Sequence, residues 1–415
     1  MSFEGTLITA IILTTLLFEL ILNITAEYLN IAKITPNLPD EFNDYYDQER
    51  YEKSQEYLRV CTKFGFITTM TDLLFFLCFW FLKGFDVVDT VVRNLGQGPV
   101  VTGLAYIGTL LILKGIISLP FSIYSTFVIE ERFGFNKTTP LLFIKDLVKS
   151  IVISAILGSI IIGAILAFLE SAGEWAWIIC WGVSTIFILA VQYIVPTWIM
   201  PLFNKFTPLE EGELKHAILN YADNVGFPVS NIFVMDGSKR STKANAFFTG
   251  FGKNRRIALF DTLIENYSTE ELLAIIAHEI GHYKKKHIQK RMITGILQMG
   301  VIFFLISVFI SYQGLFDAFF MTETSIYAGL IFFSMLFSPI DMIISVIMQF
   351  LSRKDEYEAD RFAVKTTGLG TPMKSALKKL SVQNLSNLNP HPFYVFLNYS
   401  HPPIMNRLKA ISESV

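Results

Sequence analysis

The sequence predicts a mainly α, polytopic membrane protein. Seven helices cross the bilayer, and two polar segments on one side of it build an α+β domain with a small β-sheet. Three observations carry this expectation. The 415-residue chain is 52% hydrophobic and only 17% charged, against about a quarter charged in soluble domains. Seven apolar runs are long enough to cross roughly 30 Å of hydrocarbon. Lysine and arginine alternate between the connecting segments in step with those seven crossings.

The apolar runs lie at residues 6–24, 64–82, 101–124, 151–169, 175–195, 292–311 and 325–351. The first is kept as a span and not a signal peptide, because residues 1–5 hold no Lys or Arg and no small-residue cleavage site follows. Pro339 and Asp341 in the last run predict a break or a kink there. Four ionisable residues fall inside the runs: Glu19, Asp72, Lys114 and Asp341. At membrane depth such groups face a bundle interior or a wet cavity, although Glu19 is close enough to the end of its run to be interfacial.

No Lys or Arg precedes the first run. Lys33, Arg50, Lys53, Arg59 and Lys63 follow it, then only Lys83 and Arg93, then Arg132, Lys137, Lys145 and Lys149. Residues 170–174 and 312–324 carry none. This alternation places the N-terminus outside and both polar segments, 196–291 and 352–415, in the cytoplasm. The expected location is the cell membrane of a prokaryote or the endoplasmic-reticulum membrane of a eukaryote. A net charge of −2 offers no field that would draw in nucleic acid. Cys61, Cys78 and Cys180 form no CxxC pair and read as small buried hydrophobes.

Within the first polar segment, residues 211–224 form an amphipathic pattern. Residues 232–235, 246–251 and 255–260 read as strands, the last two joined through Gly252, Lys253 and Asn254. Ser268, three residues before Glu271, is a capping box that opens a helix, and the pattern lets this helix continue past Arg291 into the sixth span.

That helix carries "HEIGHYKKKH", three of the chain's six histidines within ten positions. His278 and His282 are at i and i+4, so both imidazoles leave one face and can grip one ion. Glu279 is about 100° round the helix, free to act on a water beside that ion. Two imidazoles for Zn²⁺ and a glutamate as general base is the H-E-x-x-H pattern of zinc hydrolases. His287, after three lysines, reads as solvated or facing headgroups. A catalytic zinc needs a third protein ligand and an open position. "SRKDEYEADRFAV", beyond the seventh run, offers Asp355, Glu356, Glu358 and Asp360. Glu356 and Asp360 share a helix face, so one can bind metal while the other orients a histidine. Asp355 and Glu358 read as solvated.

HEIGH, a two-span hairpin and SRKDEYEAD, with "LFNKFTPLEEGEL" from Leu202, "NAFFTGFGKNRRIALFDTL" from Asn245 and "SHPPIMNRL" from Ser400, resemble the integral-membrane CAAX prenyl protease family. These are zinc metalloproteases of the a-factor-converting type. The resemblance spans nearly the whole chain. It implies a zincin-like domain, seven helices enclosing a water-filled chamber, one zinc per chain, Glu356 as third ligand and Asp360 as its supporting partner. It also implies an edge strand that aligns the substrate from Asn245, Ala246, Phe247 and Phe248 onward, and His401 and Arg407 at the active site. On position alone His401, before two prolines, reads first as a rigid turn residue.

The implied organisation is a five-span membrane domain (1–196), a first catalytic part (197–291), a two-span hairpin (292–351) and a second catalytic part (352–415). The implied substrate is a protein or peptide, prenylated at a C-terminal cysteine, reached beside membrane lipid. Two other readings are a general quality-control protease of membrane proteins and a transporter or channel with structural zinc. Glu279 argues against the latter, since a closed four-ligand site needs no base.

Overall fold

The computed structural model describes residues 2–229, 231–249 and 256–414, and within them seven helices are long and apolar enough to cross a membrane. Helices α1 (Phe3–Ala32) and α2 (Gln48–Phe81) are followed by the short α3 (Gly84–Arg93). Helix α4 (Pro99–Tyr124) runs on to Glu130, α5 (Pro140–Ser171) follows, and α6 (Ala176–Ile194) continues into α7 (Met200–Phe203). Side chains set several of the starts: Ser2, Asp47 and Thr139 accept hydrogen bonds from the first-turn amides of α1, α2 and α5.

The first polar segment then contains β1 (Phe206–Pro208), α8 (Glu213–Asn224), β2 (Asn231–Met235), β3 (Ala246–Thr249), β4 (Arg256–Phe260), α9 (Asp261–Ile264) and α10 (Thr269–Lys284). The sixth crossing is α11 (His287–Phe309). After α12 (Gln313–Ala318), the seventh is α13 (Ile326–Thr367), and α14 (Gly370–Gln383), α15 (Pro392–Asn398) and α16 (Ile404–Ser412) close the chain.

Contacts between distant connections sort the two ends of the bundle. At one end Thr322 N–H donates to Asp86 at 2.8 Å, Arg93 donates to the Thr324 carbonyl at 3.2 Å, and Gly5 packs on Asp317. At the other, His391 N–H donates to Asn30 at 3.0 Å. Lys243 pairs with Glu130 at 2.8 Å, and Arg240 grips Asp146 through two nitrogens at 2.8 and 3.1 Å. The N-terminus and residues 84–96 and 312–324 thus share one end, and both polar segments share the other. Between them Lys114 on α4 meets Asp72 on α2 at 2.5 Å, giving these two intramembrane charges each other as partners.

The sheet order is β1-β2-β4-β3, with β2 and β4 parallel and the outer pairs antiparallel. β3 is therefore an edge strand, registered from Ala246 opposite Leu259 to Thr249 opposite Arg256. β1 was not expected; its three residues are too few for an alternation to register. The Gly252-Lys253-Asn254 connection lies outside the described residues.

Three expectations are corrected. The helix through HEIGHYKKKH does not continue into the membrane: Lys286 adopts φ 59°, and α11 starts afresh at His287. The Lys285 and Lys286 amides close the last turn on the carbonyls of Gly281 and Tyr283, and lysines in a last turn favour a helix end. Conversely, Pro339 does not break α13, which runs unbroken for 42 residues. Membrane helices tolerate a proline whose freed carbonyl is satisfied locally. Cys180 is buried, but Cys61 is half-buried and Cys78 exposed, because an apolar run in a membrane helix can face lipid as well as core.

Candidate active site

The site forms where α10 crosses α13. A β-carbon at Gly281 would lie only 3.2 Å from the Ala359 backbone, so a glycine facing an alanine lets the two helices approach closely. Leu272, Ile276 and Ile280 bury the opposite side of α10 in the core beneath the sheet. The capping-box Glu271 reaches on to α14, accepting from Ser375 at 2.6 Å and Lys379 at 2.7 Å. The helix is thus fixed at its start, middle and end.

The crossing brings His278 and His282 against Glu356. Their Nε2 atoms lie 3.2 Å apart, His278 Nε2 is 3.4 Å from Glu356 Oε2, and His282 Nε2 is 3.2 Å from Glu356 Oε1. Three donors each about 2.0–2.1 Å from one tetrahedral ion would stand roughly 3.3–3.4 Å from one another. The side chains therefore have the spacing a metal requires. Glu356 Oε2 is buried and has no hydrogen-bond partner among the described residues, a costly state that a cation would relieve. The residues present fit a zinc-type ion.

Behind His278, Nδ1 lies 2.8 Å from Asp360 Oδ1. Arg407 holds Asp360 with two hydrogen bonds of 2.8 and 2.7 Å. Burial pushes the His278 imidazole down, but Asp360 and Glu356 outweigh it and hold it up to about 9 in the metal-free protein. Glu279 is half-buried and makes no hydrogen bond or ion pair among the described residues. Burial pushes its carboxyl above the ordinary range, against the pull of His278 and His282.

His401 sits on the rim, its side chain 65% exposed, with Nε2 3.4 Å from Glu356 Oε1 and Nδ1 3.0 Å from Ser400 Oγ. A recess of about 460 Å³ opens there, lined by Asn384, Tyr399, His401, Pro402 and Arg407. Asn384 also bonds both backbone groups of Ala244, at 3.2 and 3.4 Å, which pins the approach to β3. Asn245 accepts from Phe260 N–H through its carbonyl, and the Phe247 ring packs edge-on against Phe260 at 6.3 Å. A larger cavity of about 1680 Å³, lined by Asp47, Arg50, Arg132 and Gln383, includes none of His278, His282 and Glu356.

Reading the sequence missed a second layer. His287 is not solvated: it is 1% exposed and faces His282, Asp355 and Glu358. Asp355 and Glu358 are correspondingly engaged and not free surface acids. The three lysines before His287 were the available signal, since they mark the helix end that turns it inward.

Comparison with known proteins covers the whole architecture. The family described as CAAX prenyl protease N-terminal, five membrane helices, matches residues 27–205, and peptidase family M48 matches residues 208–415. The chain is 36% identical to the CAAX prenyl protease 1 homolog of Oryza sativa subsp. japonica over 411 residues, which covers 96% of each. It is 37% identical to CAAX prenyl protease 1 of Saccharomyces cerevisiae, covering 92% of this chain and 89% of that one. The crystal structure of S. mikatae Ste24p superposes with a TM-score of 0.89 at 35% identity over 99% of both chains.

Proposed function

We infer the function from one premise: this chain belongs to peptidase family M48, in the branch that carries the five-helix CAAX prenyl protease N-terminal region. It is an integral, multi-pass membrane metalloprotease acting on protein or peptide substrates. Beyond that, we propose that the metal is one zinc ion per chain, held by His278, His282 and Glu356, and that the substrate is a protein prenylated at a C-terminal CAAX cysteine. The 3.2–3.4 Å spacing of the three donors carries the metal assignment. That the relatives are named CAAX prenyl proteases supports the substrate class.

Zinc, when bound, supplies Lewis acidity that lowers the pKa of water towards about 7 and polarises a peptide carbonyl. Glu279, unpaired and with a raised proton affinity, takes the proton of the attacking water and passes it to the leaving amine. His401, at the open rim, donates to the oxyanion as it forms. Arg407 and Asp360 hold the His278 ring from behind. The substrate extends along the free edge of β3, beginning at Asn245, Ala246, Phe247 and Phe248, through backbone hydrogen bonds.

On this reading the two polar segments are parts of one catalytic domain, 197–291 and 352–415, interrupted by the hairpin 292–351 and preceded by the membrane domain 1–196. They face the cytoplasm, with the N-terminus outside. The seven spans enclose a chamber, into which the Asp72–Lys114 pair fits as a partnered intramembrane charge.

Mass spectrometry of peptides incubated with the purified protein tests the substrate class. Matched peptides would carry a farnesylated or a free C-terminal-region cysteine. Preferential cleavage of the farnesylated peptide after its modified cysteine is expected. Equal cleavage of both would overturn the prenyl-directed reading and leave a general membrane protease.

A further inference from the structure

His278 and His282 each turn one ring nitrogen towards Glu356 and the other away from it. Behind His278 stands Asp360. Behind His282, Nδ1 lies 3.0 Å from Nδ1 of His287, whose own Nε2 is 3.0 Å from Glu358 Oε2 and 3.4 Å from Asp355 Oδ1. A neutral imidazole has one N–H and one lone pair. The carboxylates are acceptors, so His287 carries its proton on Nε2 and accepts at Nδ1. His282 must then donate from Nδ1, which leaves the lone pair of its Nε2 facing Glu356. Arg291 lies 3.4 Å from Asp355, on the other oxygen of that carboxylate.

The backbone break at Lys286 makes this contact possible. On an unbroken helix His287 would lie about 140° round from His282, on the wrong face. The left-handed residue returns it beneath His282, where it is buried to 1% exposure. A non-glycine residue in that conformation is uncommon, and one placed immediately before a buried histidine calls for a reason.

We propose that His287, backed by Asp355 and Glu358, is a positioning residue that fixes the tautomer and orientation of His282 so that Nε2 presents its lone pair to the metal. The proposal rests on His278, His282 and Glu356 being the metal donors. The two ligand histidines are then held by different devices, a carboxylate clamped by arginine for one and an imidazole relay ending in two carboxylates for the other. Losing an outer partner of this kind typically costs about 10–100-fold in metal affinity.

Nitrogen-15 spectra of the metal-free, full-length protein with ring-labelled histidine, two imidazole nitrogens for each of six residues, read the relay without any metal. His282 is expected as the Nδ1–H tautomer and His287 as Nε2–H, with His282 losing that preference in His287→Leu. Chelator competition then measures zinc affinity. His287→Leu should weaken it about 10–100-fold. His287→Gln, whose amide oxygen can accept from Nδ1–H, should recover most of the loss. The double variant Asp355→Asn with Glu358→Gln should resemble His287→Leu.

An Nε2–H tautomer of His282 in the parent would overturn the proposal. So would zinc affinity in His287→Leu within about threefold of the parent, well short of such losses elsewhere. If His287→Gln bound as weakly as His287→Leu while unfolding at the parent temperature, His287 would act by packing alone. A second zinc equivalent lost with His287 would make it a ligand and overturn the relay. Failure of the donor assignment looks different: zinc uptake would then survive Glu356→Ala, whatever the tautomer of His282.

Discussion

The crossing of α10 with α13 and the rim around His401 lie within one hydrogen-bond length of each other, yet they are built on opposite principles. At the crossing, His278, Glu356 and Asp360 are buried, and each is met by a further group that is itself held. At the rim, His401 is 65% exposed, touching Glu356 at 3.4 Å on one side and otherwise flanked by a serine, two prolines and an open recess. The first region is complete before any substrate arrives, because close helix packing sets the donor spacing. The second is open to solvent, with room beside His401 for a substrate. Changes at the crossing should therefore show up in metal binding, and changes at the rim in turnover with the metal retained.

Glu279 lies between the regions and is expected to show the largest separation of the two effects. Glu279→Gln should bind metal like the parent and lose about 10²–10⁴ in turnover, the usual contribution of a positioned acid–base group. Metal analysis and kcat on one preparation check it; loss of metal together with activity would place Glu279 among the ligands. His401→Ala should keep its metal and its unfolding temperature while kcat falls about 10²–10³-fold with less change in KM. Turnover close to that of the parent would assign His401 to the turn before Pro402 and not to the chemistry.

Asp360→Asn should give the reverse pattern, weakening metal affinity about 10–100-fold, read by chelator competition. The gentlest effect, at most about tenfold for each unit, is on pH. Asp360 and Glu356 hold the His278 imidazole up to about 9. The metal must therefore displace a proton at every pH below that value. Its apparent affinity should fall by up to about tenfold per unit below 9 and level off above it. An affinity flat between pH 7 and 9 would mean that Asp360 and Glu356 do not hold His278 protonated in the metal-free protein.

Much of this was legible in the sequence because its signals are local. Seven apolar runs and alternating Lys and Arg need only windows of about twenty residues. The common face of His278 and His282, and that of Glu356 and Asp360, follows from four-residue spacing on a helix. What escaped depends on contacts that no spacing encodes. His287 reaches His282 only through a left-handed lysine, and the lysines of "HYKKKH" mark a helix end without specifying that conformation. Asn384 pins Ala244 across 140 residues, and Lys243 joins Glu130 across 113. Pro339 was read by the rule for soluble helices, whereas the interior of a membrane bundle accommodates it.

The account's central claim is that Glu356, delivered by the seventh membrane helix, completes a metal site with His278 and His282. Zinc titration with elemental analysis of purified Glu356→Ala, run beside the parent and Glu279→Gln, tests it most directly. The account predicts one zinc per chain in the parent and in Glu279→Gln, and strongly reduced occupancy in Glu356→Ala at an unfolding temperature matching that of the metal-free parent. Full zinc occupancy with undiminished affinity in Glu356→Ala would contradict it.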